Sequence, residues 1–131
     1  MSTLDVKKLQ NGAKSVDADY VIDGCAKAWA SFNAVTTTSL DDSLNVSSIT
    51  DEATGQTKCA LTSNISAAVY CTAGSLHNSN VAGSTAHSHG VYGAAHFPVS
   101  VSEIRSTGYQ TNTNIYADIG HLSWAIHGDL A

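Results

Sequence analysis

Leu122-Ser123-Trp124-Ala125-Ile126-His127-Gly128 is the stretch on which the fold turns. Leu122, Trp124 and Ile126 fall on one side of an extended chain and Ser123, Ala125 and His127 on the other, the two-residue period of a strand with one buried face. Gly128 ends the run. The same alternation occurs far upstream, where Lys27, Trp29 and Ser31 interleave with Ala28, Ala30 and Phe32. Leu44, Val46 and Ile49 mark a further strand, and the step from 46 to 49 breaks the period, which predicts a bulge or a strand end. Asp51-Glu52-Ala53-Thr54-Gly55 reads as a hairpin turn in which Gly55 takes positive φ, and Thr57, Cys59 and Leu61 form the returning face. Ala68 to Ala73 reads as a strand closed by Gly74. Strands are also expected over Phe97 to Ile104, with Val99 and Val101 sharing a face, and over Ile115 to Ile119. Residues 75–95 are rich in Ser, Gly, His and Asn, show neither period, and read as a long loop of the kind that carries function in a compact domain. Six or seven short strands at roughly ten-residue spacing predict an all-β protein, an antiparallel β-sandwich of jelly-roll-like character.

Composition agrees. A chain of 131 residues is one domain's worth, and its 13% of charged residues is about half the usual share. Ser, Thr, Asn and Gly stand in for the missing charge, which excludes coiled coils and helical bundles. Six Lys and Arg against eleven Asp and Glu leave a net charge of −5 and no basic stripe, so nucleic acid is not an expected partner. No apolar run has the length of a spanning helix, so no membrane insertion is expected, and Met1-Ser2-Thr3-Leu4-Asp5 lacks the order of a secretory signal, so folding in a cytoplasm is expected. Cys25, Cys59 and Cys71 have neither disulfide nor zinc-knuckle spacing and read as small buried hydrophobes.

Residues 1–24 differ from the remaining domain, 25–131. Lys7, Lys8, Lys14, Asp5, Asp17, Asp19 and Asp23 concentrate there around the turn pair Asn11-Gly12. Leu4 with Val6, and Tyr20 with Ile22, suit extended strands that lack partners inside the segment. The segment is therefore expected to be an extended N-terminal arm, able to span about 80 Å and to bury Leu4, Val6, Leu9, Tyr20 and Ile22 against another subunit.

Ala26-Lys27-Ala28-Trp29-Ala30-Ser31-Phe32-Asn33, then Ser43-Leu44-Asn45-Val46-Ser47-Ser48-Ile49-Thr50-Asp51, then Thr54-Gly55, closely resembles a module of bacteriophage tail-fibre and virion structural proteins. That module reads AKAW-x-x-FN, S-[FL]-NVSSITD and a Thr-Gly turn. Tyr70 with Cys71 through Gly74 resembles its later strand, Trp124-Ala125-Ile126-His127-Gly128 its closing strand, and Thr3 through Asn11 the short lead before such modules. The middle strand, Gln56 to Leu61, has fewer aromatic residues than the family pattern, and the His-rich loop is not part of it. The resemblance implies a virion location, homo-oligomerisation as a trimer, contact with other virion proteins, and a role as a fibre, spike or tail-tip adhesin in host attachment. Host surface glycan is the ligand expected from the Ser, Thr, Asn and Tyr side chains of the loops. The competing expectation is a head decoration protein that cements the capsid with the same sandwich and arm.

For recognition, the loop and its surroundings nominate His77, Asn78, Asn80, His87, His89, Tyr92 and Tyr109, polar and aromatic side chains that adapt to a polar ligand. His87-Ser88-His89 places two imidazoles on one side of an extended chain. Three such pairs on a threefold axis would offer six nitrogens, suited to octahedral Fe(II) or Ni(II), whereas a solvated loop would leave them idle. His77 and His96 are alternative further ligands within one chain. No other cofactor is expected. Glycoside cleavage needs a carboxylate pair, and Asp41-Asp42, Asp51-Glu52 and Glu103-Asp118 are the arithmetic options, none with a distinguishing context. Nucleophile-elbow and phosphate-loop motifs are absent, so the chain is not expected to be an enzyme. Trp29 and Trp124, inside alternating strands, are expected between the sheets.

Overall fold

The computed structural model of the chain describes residues 6–35, 38–67, 70–77 and 92–131. Two antiparallel sheets pack face to face. One contains β3 (Ala28–Asn33), β4 (Ser39–Leu44), β7 (Cys71–His77) and β11 (His121–His127), in the order β4-β3-β11-β7. The other contains β5 (Val46–Ala53), β6 (Gln56–Leu61), β8 (Tyr92–Ser100), β9 (Glu103–Gln110) and the short β10 (Ile115–Tyr116). In it, β9 has β8 on one edge and both β6 and β10 on the other, and β5 lies outside β6. The all-β sandwich is as the alternation predicts.

Alternation becomes core through complementary sizes. Ala28, Ala30 and Phe32 of β3 pair with Ile126, Trp124 and Leu122 of β11, and all six are buried. Ala28 and Ala30 opposite Ile126 and Trp124 leave room for the larger side chains, and Trp124 joins Cys59, Leu61 and Ile104 of the facing sheet in one cluster. The Thr54-Gly55 turn and a bulge after Val46 are present, with Gly55 at φ 67° and the register shifting between Val46 and Ser48. Leu44 and Val46, however, belong to two strands in different sheets and not to one, because the chain turns at Asn45.

Asn45 connects β4 to β5, and so one sheet to the other. Its φ of 58° lies in the left-handed region, where asparagine is tolerated. Its amide nitrogen donates to the carbonyls of Lys27 (3.2 Å) and Ser63 (3.0 Å), and its side-chain oxygen accepts from the Ser63 amide (2.7 Å). Asn45→Gly keeps the backbone and loses these bonds, with an expected cost of about 1 kcal/mol; Asn45→Ala adds strain of about 1 kcal/mol more. Urea denaturation of the two variants should rank them in that order.

Seven further expectations change. Residues 6–24 are not partnerless strands: β1 (Lys8–Asn11) and β2 (Lys14–Asp17) form a hairpin about Gly12, with Leu9 opposite Val16. Tyr20 and Ile22 lie in a helix, α1 (Ala18–Gly24), because a five-residue window cannot separate a period of two from one of 3.6. Gly74 does not close β7 but sits inside it, opposite Trp124, because another residue occupies the space its side chain would fill. Phe97 to Ile104 is a hairpin of β8 and β9 rather than one strand, turning at Val101 and Ser102 without a Gly, Asn or Pro to signal it. The unpatterned region is shorter than 75–95, since β7 continues to His77 and β8 begins at Tyr92. Finally, only Cys59 is buried while Cys25 and Cys71 are exposed, and Trp29 lies half-buried on the outer face of its sheet. Leu4, Asn78, Asn80, His87 and His89 lie outside the described residues.

Candidate functional site

Chain direction gives the sandwich two different ends. β3, β5, β7 and β9 run toward one end and β4, β6, β8 and β11 run back from it. Strands of six to nine residues separate the ends by roughly 20–30 Å. At the end where β3 begins stand the hairpin and α1, tied to the sandwich by hydrogen bonds from Lys27 Nζ to the Ile22 carbonyl and from His127 Nδ1 to the Gly24 carbonyl. At the opposite end lie the Gly55 turn, His77, Tyr92, Tyr109 and the β9–β10 connection.

The arm end carries unburied apolar surface. Leu9 and Val16 face water as a cross-strand pair, with Val6 and Val21 also exposed, while Tyr20 is 74% and Ile22 60% accessible. Among the described arm residues, only Ala18 is buried. Of the five arm residues nominated for oligomer contact, Val6, Leu9, Tyr20 and Ile22 therefore find no burial within the chain.

The loop end carries a cleft. On β9, Thr107 and Tyr109 point to the outer face of the sheet, since Ile104 and Ser106 point in. The chain turns through residues 111–114, where Asn114 adopts φ 54°, its amide donates to the Gln110 carbonyl (2.8 Å), and Thr113 Oγ1 donates to Gln110 Oε1 (3.1 Å). This turn returns Tyr116 directly opposite Tyr109. Thr107, Tyr109, Asn114 and Tyr116 then line a polar cleft of about 330 Å³. Thr107 itself is buried, with its hydroxyl donating to the Ala95 carbonyl of β8 (3.5 Å), while Asn114 and Tyr116 are exposed.

The Gly55 turn braces this corner from behind. Gly55 donates to Asp118 Oδ1 (2.6 Å) and accepts from the Gly108 amide (2.8 Å), while Ala117 donates to the Gly108 carbonyl (3.0 Å). One row further down the outer face, the cations are already engaged. Arg105 Nε donates to Glu52 Oε2 (2.7 Å), and Lys58 bridges Glu52 (3.3 Å) and Glu103 (3.4 Å). The Arg105 hydrogen bond holds the Glu52 carboxyl below the ordinary range, and Glu52 in turn raises Lys58. Five of the six acids weighed for sugar cleavage have other partners: Asp41 binds His121 (3.0 Å), Asp42 accepts from the Ser43 amide, and Glu52, Glu103 and Asp118 are held as above.

Inside the sandwich, His96 of β8 faces Gly74. Its Nδ1 shares a 2.8 Å hydrogen bond with Ser106 Oγ, its Nε2 is buried without a partner, and burial lowers its pKa to about 4. It is therefore a neutral, largely enclosed imidazole. Cys59, pushed up to about 12 by burial, is likewise an inert thiol. Among the described residues no cluster of three metal-ligating side chains gathers. Of the nominated contact residues, Tyr109 lines the cleft, Tyr92 pairs with Gln110, the next residue along β9, and His77 pairs with His121 on the other sheet. Tyr116, Asn114 and Thr107 went unread, although Tyr116 sits in a segment already expected to be strand.

Family models, curated proteins and solved structures offer no match to this chain. The likeness to the phage module therefore rests on the residues that carry it, above all those of 26–55.

Proposed function

We propose that this chain is a bacteriophage virion structural protein, a trimeric fibre, spike or tail-tip adhesin that docks through its N-terminal hairpin and helix and recognises the host at its loop end. The observation that carries the reading is the separation of two unlike surfaces on one short sandwich. Unsatisfied apolar side chains stand at one end, and a polar, tyrosine-lined cleft at the other. Apolar arm residues gain free energy only when something covers them, at about 25 cal/mol per Å², and further copies of the same arm are the simplest cover. The trimer itself comes from the resemblance.

Wild-type protein is expected to sediment as a trimer, and Leu9→Asp with Ile22→Asp as a folded monomer, because neither residue belongs to the core. Sedimentation equilibrium with circular dichroism on both proteins tests this; a monomeric wild type would refute the oligomer. Particles lacking the chain then separate the two virion roles. Lost adsorption with intact heads supports the adhesin, whereas lost heat or osmotic resistance with normal adsorption supports a decoration protein.

A further inference from the structure

The cleft at the loop end combines features that select one class of ligand. Its lining is uncharged: two phenols, one carboxamide and one hydroxyl. Tyr109 and Tyr116 are directly opposed across β9 and β10, so their side chains leave the same face of the sheet, and Tyr116 is 54% exposed. Thr107 is buried, its hydroxyl donating to the Ala95 carbonyl (3.5 Å), so the accessible polar groups are those of Asn114 and the two tyrosines. Its volume of about 330 Å³ is at the lower end of the range for small-ligand clefts.

We propose that this cleft binds a neutral saccharide. A pyranose presents an apolar C–H face and a rim of hydroxyls that both donate and accept. The C–H face suits the electron-rich face of a tyrosine ring, and the rim suits the Asn114 amide and the phenol oxygens. Anionic sugars are disfavoured. Arg105 and Lys58, the cations on the adjoining row, are neutralised by Glu52 and Glu103, the Asp118 carboxylate stands behind the Gly55 turn, and the chain as a whole carries −5. An added peptide strand is also disfavoured on this sheet's β8 edge, where Pro98 has no amide hydrogen to pair. The saccharide names a ligand class for the adhesin reading and rests on that reading for its biological role, while its chemistry stands on the cleft alone.

The test is titration of the ¹⁵N-labelled full chain with neutral tetrasaccharides of glucose, galactose and N-acetylglucosamine, and with tetragalacturonate as the anionic control. At least one neutral tetrasaccharide should shift the Tyr109, Asn114 and Tyr116 amides saturably at millimolar concentration, and the uronate should not. Tyr116→Ala should weaken binding about tenfold by removing one stacking face. Asn114→Gly should weaken it by a similar factor with the fold unchanged, because glycine accepts φ 54° and loses only the amide. Absence of any neutral-sugar shift, equal binding of the uronate, or full binding by both variants would overturn the proposal. Saccharide binding by a chain whose loss leaves particle adsorption unchanged would keep the cleft and remove the adhesin. Adsorption blocked by free chain that binds no tetrasaccharide would keep the adhesin and remove the saccharide.

Discussion

Gly55→Ala is expected to destabilise the protein by roughly 3 kcal/mol, lowering its melting temperature by about 10 °C. Two effects add. At φ 67° an alanine is strained by about 1 kcal/mol. Its Cβ would also stand 2.5 Å from the Gly108 carbonyl oxygen and 2.6 Å from the Ala117 amide nitrogen, and both are backbone atoms that no rotamer change can move aside. Relief requires the β5–β6 turn to lift off β9 and the 117–119 segment, which breaks the bonds to Asp118 and Gly108 and loosens the wall of the cleft. Gly12→Ala is the control, since Gly12 has nearly the same φ, 61°, and nothing within 4 Å of the added carbon. It should cost no more than about 1 kcal/mol. Equal melting temperatures for the two variants would show that the packing of the Gly55 turn contributes nothing.

Acid should destabilise the protein through His96. In the unfolded chain this imidazole titrates near its ordinary value of 6.5, while in the folded protein burial lowers it to about 4. Between those values the unfolded state binds the proton and the folded state does not, so stability falls as pH falls. The contribution is complete above pH 6.5, is lost progressively toward pH 4, and changes little below that, for a total of about 3 kcal/mol. The surroundings explain the sign. The ring's partner Ser106 is neutral, the Thr72 hydroxyl donates only to the His96 backbone carbonyl, Gly74 brings no side chain, and the buried Nε2 has no acceptor to receive a new proton. Glu52, lowered by Arg105, adds its own loss only at lower pH, below its ordinary value of 4.5. Urea midpoints measured from pH 7.5 to 4 should therefore slope for the wild type and lie nearly flat for His96→Gln, whose amide can still meet Ser106. Parallel profiles would assign the acid sensitivity elsewhere.

These two residues also show how far the chain could be read locally. Gly55 was legible because a hairpin turn that needs positive φ announces itself in five residues. Gly74 was misread as a strand end because a glycine inside a strand usually marks one, and its reason lies twenty-two positions away, where the His96 ring fills the space a side chain would take. The β8–β9 turn holds no Gly, Asn or Pro, only serines at 100 and 102, and α1 is hidden because Tyr20 and Ile22 alternate like a strand while Ala18 alone is buried. At the candidate site Tyr109 was nominated as an aromatic near a loop. Tyr116 acquired meaning only when the four-residue turn set it opposite Tyr109.

By itself, then, the sequence determined which side of each strand is apolar, where the Gly55 hairpin turns, and that the protein is a low-charge β-sandwich. Those are properties of a few neighbouring residues, since backbone pleat alone sends alternate side chains to opposite faces. Only the tertiary structure decided the order of strands in each sheet, the insertion of His96 over Gly74, the Tyr109–Tyr116 pair, and the placing of the arm and the cleft at opposite ends. Each of these joins residues far apart in the chain, and such pairings are selected by packing and hydrogen bonding across the whole core, which no local period encodes.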